Sequence, residues 1–563
     1  MHPSKNIEIT RAQESTNAIE KLYISMRHLF SRGFYKPMGI SGETLRKSLL
    51  LLRPEIYGSI AEKKIELDGL VYVIERLPEG IEECQFINLT ADEGFKNSNF
   101  KSIIPLKRRR NCYRIDKDQM NIEITRGKSE IYDILTHLTF LVIESHKIQE
   151  RVSLNDGKDF IREWKHLEDL VLHKKEISIK EKEVLIAHLG NILGRTFDEV
   201  FAIYNTFSSE KNPNKFFSLI YWLGKLAINE EFKGKKRSIT FSSVLIEEIG
   251  HHIYGEIWAN NIKEILEKNN LLKRSIHIIS ANMHSVLNTL YAEKALPNEV
   301  KTENNFELFQ LLSEDNSRPL QKQIKEFASK NGLIYIKDQS GTNIDVQIID
   351  TNKINRNSFS LQDGTNEKEN PVIIVMDYAF GEQAYETMDE LLKPYKKANK
   401  NTHLDVKSIS IMGKAGILEG GKGDIMIPSA HIFEGTADNY PFDNELQKTD
   451  LEGFGVNVFE GTMVSVLGTS LQNKELLKFF HDSTWNVIGL EMEGAHYQKA
   501  IQSASRIRGN ISQDVKVRYA YYASDNPLET GATLASGGLG MTGVTPTYAI
   551  TQKILEQIFY NKN

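Results

Sequence analysis

The chain has 563 residues, 40% of them hydrophobic and 26% charged, which excludes a single small core and a disordered or fibrous chain and points to two to four globular domains. Seventy basic against 75 acidic residues leave a net charge of −5, so nothing calls for nucleic acid or an anionic membrane as the main partner. Two cysteines supply neither a disulfide framework nor a cysteine zinc site, no apolar run approaches the ~20 residues of a membrane span, and "MHPSKNIEITRAQEST" has no apolar leader. A cytoplasmic protein is the expectation.

The first half reads as mainly helical. "SEIYDILTHLTFLVIESHKIQERV" (129–152) places Ile131, Leu135, Leu138 and Val142 at spacings of three to four, with Ser129-Glu130 as an N-cap signal. Further helical patterns run through "SIKEKEVLIAHLGNIL", "TFDEVFAIYNTF" and "SSVLIEEIGHHIYGEIWANNIKEILEKNN". Strand-like pieces interrupt in "KIELDGLVYVIERL" and "CQFINLT", and no internal repeat is visible.

Three clusters of this half invite chemistry. "PLKRRRNCYRID" gathers Lys107, Arg108, Arg109, Arg110 and Arg114, which reads first as a solvated basic loop and second as an anion contact. "EEIGHHIYGE" supplies Glu247, Glu248, His251 and His252 without the H-E-x-x-H order of a zinc helix, so no metal is expected. His277 and His284 flank a strand-to-helix transition in "SIHIISANMHSVLNTLYAE", where core or capping histidines are the ordinary reading.

Around 313–330 the composition turns polar, and beyond it short apolar runs alternate with helical stretches. Residues 1–330 therefore read as a large, mainly helical α+β domain of one or two parts, and 331–563 as an α/β domain. "LQDGTNEKENP" (361–371) looks like an exposed loop. In α/β domains ligands gather at the carboxyl ends of strands, and four stretches end strands in glycine or polar residues. "VIIVMDYAFGEQAYE" runs into Gly381, Glu382 and a helix, where backbone can approach a ligand. "ISIMGKAGILEGGKGDIMI" carries Gly413, Lys414, Ala415 and Gly416, a plausible cradle for a phosphate or sugar edge without the spacing of a Walker loop. "VIGLEMEG" ends in Glu491, Met492 and Glu493, carboxylates suited to accept from a vicinal diol. "YAYYASDNPLETG" ends in Ser524 and Asp525, and an acid beside a sugar diol is a candidate proton donor.

The order G-x-A-G, then G-D opening a strand, then E-M-E-G, then S-D resembles the nucleoside phosphorylase and nucleosidase superfamily over residues 331–563. "ASDNPLETGATLASGGLG" is most similar to the corresponding stretch of AMP nucleosidases. The resemblance implies a nucleoside phosphorylase-like α/β domain, a mixed sheet flanked by helices. Met492 and Glu493 would pack against and hold the ribose, with Glu491 orienting its neighbours. Asp525, after Ser524, would be the general acid at purine N7. Gly381 and the stretch from Gly413 to Gly416 would line the ribose and the nucleophile, and Glu382 would orient or deprotonate an attacking water. A homo-oligomer, often a hexamer in the family, and no cofactor are further implications. Between 371 and 563 the only arginines, Arg506, Arg508 and Arg518, lie outside the strand-end motifs, which favours water over phosphate. Lys414 stands where relatives have a small or neutral residue and could read a 5′-phosphate, and Leu471 lies near the expected base pocket. The implied function is hydrolysis of the N-glycosidic bond of an AMP-like purine nucleotide or nucleoside. A phosphorylase and a non-catalytic nucleotide sensor are the alternatives.

Overall fold

The computed structural model describes residues 10–560 except 109, 174–177, 211, 298–304, 355–369, 398–399, 437 and 530–538. Most of the loop read at 361–371 and the stretch after Glu529 lie outside the described residues. The chain forms two compact units. One comprises residues 1–125, 130–251 and 470–476, and the other 126–129, 252–469 and 477–563.

In the first unit, helices surround a sheet in the order Phe34–Tyr35, Ser238–Phe241, Phe86–Thr90, Gln119–Glu123, Cys112–Asp116 and Ser102–Ile103. Capping boxes start three of the described helices, with Thr10 and Gln13 opening Arg11–Arg32. Ser178 with Glu181 opens Ile179–Leu193, and Thr196 with Glu199 opens Phe197–Phe207. The strand expected in "KIELDGLVYVIERL" is instead the helix Leu67–Ile74. The Glu66 side chain caps it by accepting from Gly69 N–H, and Leu67, Leu70 and Val73 bury one face at helical spacing. The basic loop also differs from a solvated one. Arg110 is buried, with Nε 3.4 Å from Glu130 and Nη2 3.7 Å from Asp133, so two carboxylates hold it in the interior.

The second unit takes in residues 252–330 as well as most of 331–563, and its sheet includes the strand Ser275–Ser280 from before 331. Numbered within this unit, the strands of its ten-stranded sheet are β1 (Ser275–Ser280), β2 (Leu333–Ile336), β3 (Val346–Asp350), β4 (Val372–Met376), β5 (Asp405–Ile417), β6 (Ile425–Phe433), β7 (Asn439–Pro441), β8 (Val458–Ser465), β9 (Val487–Glu491) and β10 (Lys516–Ala523). The helices used below are α1 (Ile253–Lys268), α2 (Met283–Ala295), α3 (Asn305–Leu312), α4 (Arg318–Lys330), α5 (Gln383–Leu391), α6 (Gly494–Gln502) and α7 (Val544–Phe559). Strand order is β2-β3-β4-β1-β5-β9-β8-β6-β7, and β10 pairs with both β5 and β6. The path β5-β9-β8-β6-β10-β5 therefore closes, so the flanked mixed sheet expected from the sequence is in part a barrel. The length of β5 permits both arrangements: Asp405–Ile411 pairs in parallel with β1, Ser408–Ala415 with β10, and Gly416–Ile417 antiparallel with β9.

Alternate residues of β5 enter two cores. Ile409, Ile411 and Ala415 pack in a cluster with Trp258 of α1, Met388 of α5 and Tyr497 of α6. Met412 packs in another with Leu290 of α2, Leu312 of α3, Ile324 of α4 and Ile550 of α7. This is the two-residue period of a strand covered on both faces. β1, β4, β5 and β10 are mutually parallel, so their carboxyl ends lie on one edge.

Candidate active site

Register brings the strand-end motifs together around the end of β5. Ala415 stands opposite Ala523 of β10, and Gly416 opposite Leu490 of β9. Immediately beyond, Ala415 O accepts from Ser524 N–H (2.8 Å), and Ile417 N–H donates to Asp525 O (3.0 Å). Ser524 Oγ lies 3.0 Å from Ala415 O and 2.5 Å from Asp525 Oδ1. Among the described residues, Asp525 Oδ2 is buried without a hydrogen-bond partner.

β9 delivers the acidic pair. Glu491 is its last residue and is buried. It accepts from the N–H groups of Glu493 and Gly494 at the start of α6 and from Ser465 Oγ at the end of β8. Ser465 Oγ in turn accepts from Ala495 N–H at 2.8 Å. Burial alone would raise the Glu491 carboxyl, but His431, with Nδ1 3.4 Å away, and these donors hold it below the usual range. Glu491 thus satisfies the helix N-terminus, while Glu493 is half-buried and turned elsewhere. Glu493 Oε1 accepts from Gly381 N–H at 2.9 Å, which joins the E-M-E-G and F-G-E motifs directly. A methyl group on Gly381 would stand 3.9 Å from Met492 Cε, so Met492 borders the same junction.

Gly381 has to be glycine. Its φ of +55° is left-handed, and a Cβ would come 2.4 Å from Ser129 Oγ. Next to it, Glu382 precedes α5 and donates its N–H to Ser129 Oγ (2.8 Å). Glu382 Oε1 lies 3.3 Å from Lys128 Nζ, whereas Oε2 is buried without a hydrogen-bond partner. One turn on, Glu386 is buried and its carboxyl is pushed up to about 8, first by burial and then by the charge of Glu382, against a lowering by Lys128. His252 is pushed down to about 4, chiefly by burial and then by Lys128, and burial likewise lowers His496 on α6.

Two expectations find their residues elsewhere. Gly413 and Lys414 belong to β5, but Lys414 points to the face opposite Ala415. There it borders a groove of about 380 Å³ with His284, Asn288, Gln321, Tyr522 and Thr547. Among the described residues no carboxylate pairs with it. Gly413 faces the Tyr378 ring, whose Cε1 would be 3.5 Å from an added Cβ. Leu471 groups with the first unit. Ser129, read as a helix cap, lies in the third residue of the helix Gly127–Val152 and serves Glu382 instead. No sequence signal marks Lys128 or Ser129 as site residues. His431, fully buried with both ring nitrogens outside hydrogen-bond geometry, had one weak signal, a histidine inside the apolar run "IMIPSAHIF". Among the described residues, no group of His, Cys, Asp and Glu is placed to hold a metal ion, and no helix is long and apolar enough to cross a membrane.

The chain belongs to the family described as "Family of unknown function (DUF6909)", whose model matches residues 43–303 and 298–560. No curated protein matches it. Solved structures similar to it include the 5′-methylthioadenosine/S-adenosyl homocysteine nucleosidase of Campylobacter jejuni, at 11% identity and a TM-score of 0.30, covering 51% of this chain and 98% of that one. The native futalosine hydrolase of Helicobacter pylori gives 13% identity and a TM-score of 0.29 over 51% and 98% of the two chains. The Neisseria meningitidis 5′-methylthioadenosine/S-adenosylhomocysteine nucleosidase, in complex with methylthio-immucillin-A, gives 12% and 0.30 over 50% and 99%. At these scores the likeness carries no argument, and function rests on the chain's own residues.

Proposed function

We propose that this protein hydrolyses the N-glycosidic bond of an AMP-like purine nucleotide or nucleoside, releasing the free base and ribose or ribose 5-phosphate. The observation that carries the reading is the placement of Ser524 between two acceptors. Ser524 Oγ holds Asp525 Oδ1 at the end of β5 and leaves the buried Oδ2 without a hydrogen-bond partner among the described residues, in a position to serve a departing purine.

In the proposed reaction the C1′–N9 bond breaks with its electron pair going to the base. Asp525 delivers a proton to N7, and the cationic character left on the sugar is met by the Glu493 carboxylate at the ribose hydroxyls. Water attacks C1′ and gives its proton to Glu382, whose Oε2 has no other partner. Base plus sugar then equal substrate plus water, and the two carboxyls return to their starting states by exchanging one proton with solvent.

The arginines support water over phosphate as nucleophile. Arg508 pairs in bidentate fashion with Asp389, and Arg518 is buried with Nε 2.6 Å from Gln557. Arg506 is exposed within the turn that follows α6. A homo-oligomeric, cytoplasmic enzyme belongs to the same reading.

The test is chromatographic analysis of AMP, adenosine, methylthioadenosine, inosine and GMP after incubation with the protein, with and without inorganic phosphate. Free base appearing without phosphate is the expected result. Base release only with phosphate would replace the hydrolase by a phosphorylase, and binding without release by a nucleotide sensor.

A further inference from the structure

The segment 126–129 is distant in sequence from the strand-end motifs, yet it groups with the second unit. Three of its residues meet the turn that carries Glu382. Gly127, with a φ of +75°, lies so close to the Glu386 carboxylate that an added Cβ would be 3.0 Å from Oε2. Lys128 Nζ is 3.3 Å from Glu382 Oε1, with both side chains largely buried. Ser129 Oγ accepts the Glu382 N–H. A glutamate in the last position before a helix has ordinary local uses, but here one oxygen is supplied with a cation and the other, among the described residues, with no hydrogen-bond partner. That asymmetry has the geometry of a carboxylate held at one end and presented at the other.

We propose that Lys128 and Ser129 are positioning residues for Glu382: Ser129 fixes its main chain, and Lys128 holds Oε1 so that Oε2 faces the reactant water. The inference rests on the hydrolase reading for the identity of that water. The charged and titratable groups around Glu382 are Lys128 from the 126–129 segment, Glu386 and Tyr385 on α5, His252 before α1 and His496 on α6. Lys128 is the cation bonded to the Glu382 carboxylate, while Glu386 adds a negative neighbour above about pH 8. Removing the cation disfavours a second negative charge in this cluster.

The test compares wild type with Lys128→Met, Lys128→Arg and Ser129→Ala by two readouts. One is the pH profile of kcat/KM for base release. The other, independent of turnover, is the titration of the Glu386 carboxyl, followed by NMR of carboxyl-labelled glutamate and assigned with Glu386→Gln. In Lys128→Met the acidic limb of the profile should move up by about one pH unit, kcat should fall at least tenfold, and Glu386 should titrate above its wild-type value. Lys128→Arg should restore both, and Ser129→Ala should lower kcat without moving the limb. A Lys128→Met enzyme whose limb and Glu386 titration stay in place, whatever its kcat, overturns the proposal. If Lys128→Met does not fold, Lys128→Gln takes its place, and an unmoved limb and Glu386 titration in that variant together with unchanged kcat in Ser129→Ala overturn the proposal. A Glu386 titration that moves in a protein inactive on every nucleotide offered would overturn the hydrolase reading alone and leave the Lys128 contact standing.

Discussion

Asp525 and Glu386 are both carboxyls of the second unit, but their surroundings ask different things of them. Asp525 shares an acceptor-rich corner with Ser524 and Ala415 and leaves Oδ2 unpaired. Asp525→Asn removes the transferable proton while keeping the shape, so kcat should fall by roughly 10³-fold with an unchanged thermal midpoint. Near-normal base release from that variant would remove the general acid from the mechanism. Glu386 also has one oxygen, Oε1, without a hydrogen-bond partner among the described residues, but it is buried beside Glu382. Its carboxyl is held up at about 8 by burial and by Glu382, against an ordinary value of 4.5. The folded state therefore keeps a proton that the unfolded chain gives up. The stability contributed by this group is complete below pH 4.5 and is lost as pH rises through about 8. Glu386→Gln should flatten that loss, so the variant should gain denaturant midpoint over wild type at pH 9 more than at pH 5. Equal differences at both pH values would show that the carboxyl does not titrate late in the fold.

At the scale of elements, the entry to α5 is a tightly built piece of the site. Gly381 combines a left-handed φ with contact to Ser129, and its N–H reaches Glu493. Gly381→Ala adds both strain and a clash, so it should cost about 2 kcal/mol or more in chemical denaturation and lower turnover with it. A fully stable, fully active Gly381→Ala protein would show that the turn can reorganise without the Glu493 contact. The entry to α6 is built differently. There Glu491 spends its acceptors on the N–H groups of Glu493 and Gly494, which leaves Glu493 to turn toward Gly381. The spacing of the two glutamates put both on one face of an extended strand, which is how far local periodicity reaches. The strand in fact stops at Glu491, and the next residues turn into a helix whose unpaired N–H groups recruit the nearer carboxylate.

At the scale of the whole molecule, the boundary between units can be tested by cutting. A fragment 331–563 lacks β1, the strand between β4 and β5, and would leave two buried parallel edges unpaired. It should be insoluble or unfolded by circular dichroism, whereas 252–563 retains all the strands named above and should fold. A stable 331–563 fragment would return the boundary to 331. The alternation of apolar runs and helices was legible as α/β texture because it is local, and the strand-end motifs were legible because each is a few adjacent residues. "SIHIIS" could be seen as a strand, but its membership of the later domain could not, since a partner in a parallel sheet carries no mark of its distance along the chain. By itself the sequence determined that this chain has an α/β part whose strands end in Gly381-Glu382, Ala415-Gly416, Glu491-Met492-Glu493 and Ser524-Asp525. Only the tertiary structure decided that the sheet closes into a barrel, that Lys414 lies on the face of β5 bordered by His284 and Thr547, and that Lys128 and Ser129 join Glu382. The reason is physical: propensity and period act over a few residues, whereas closure, facing and ion pairing depend on which distant segments share a low-dielectric interior.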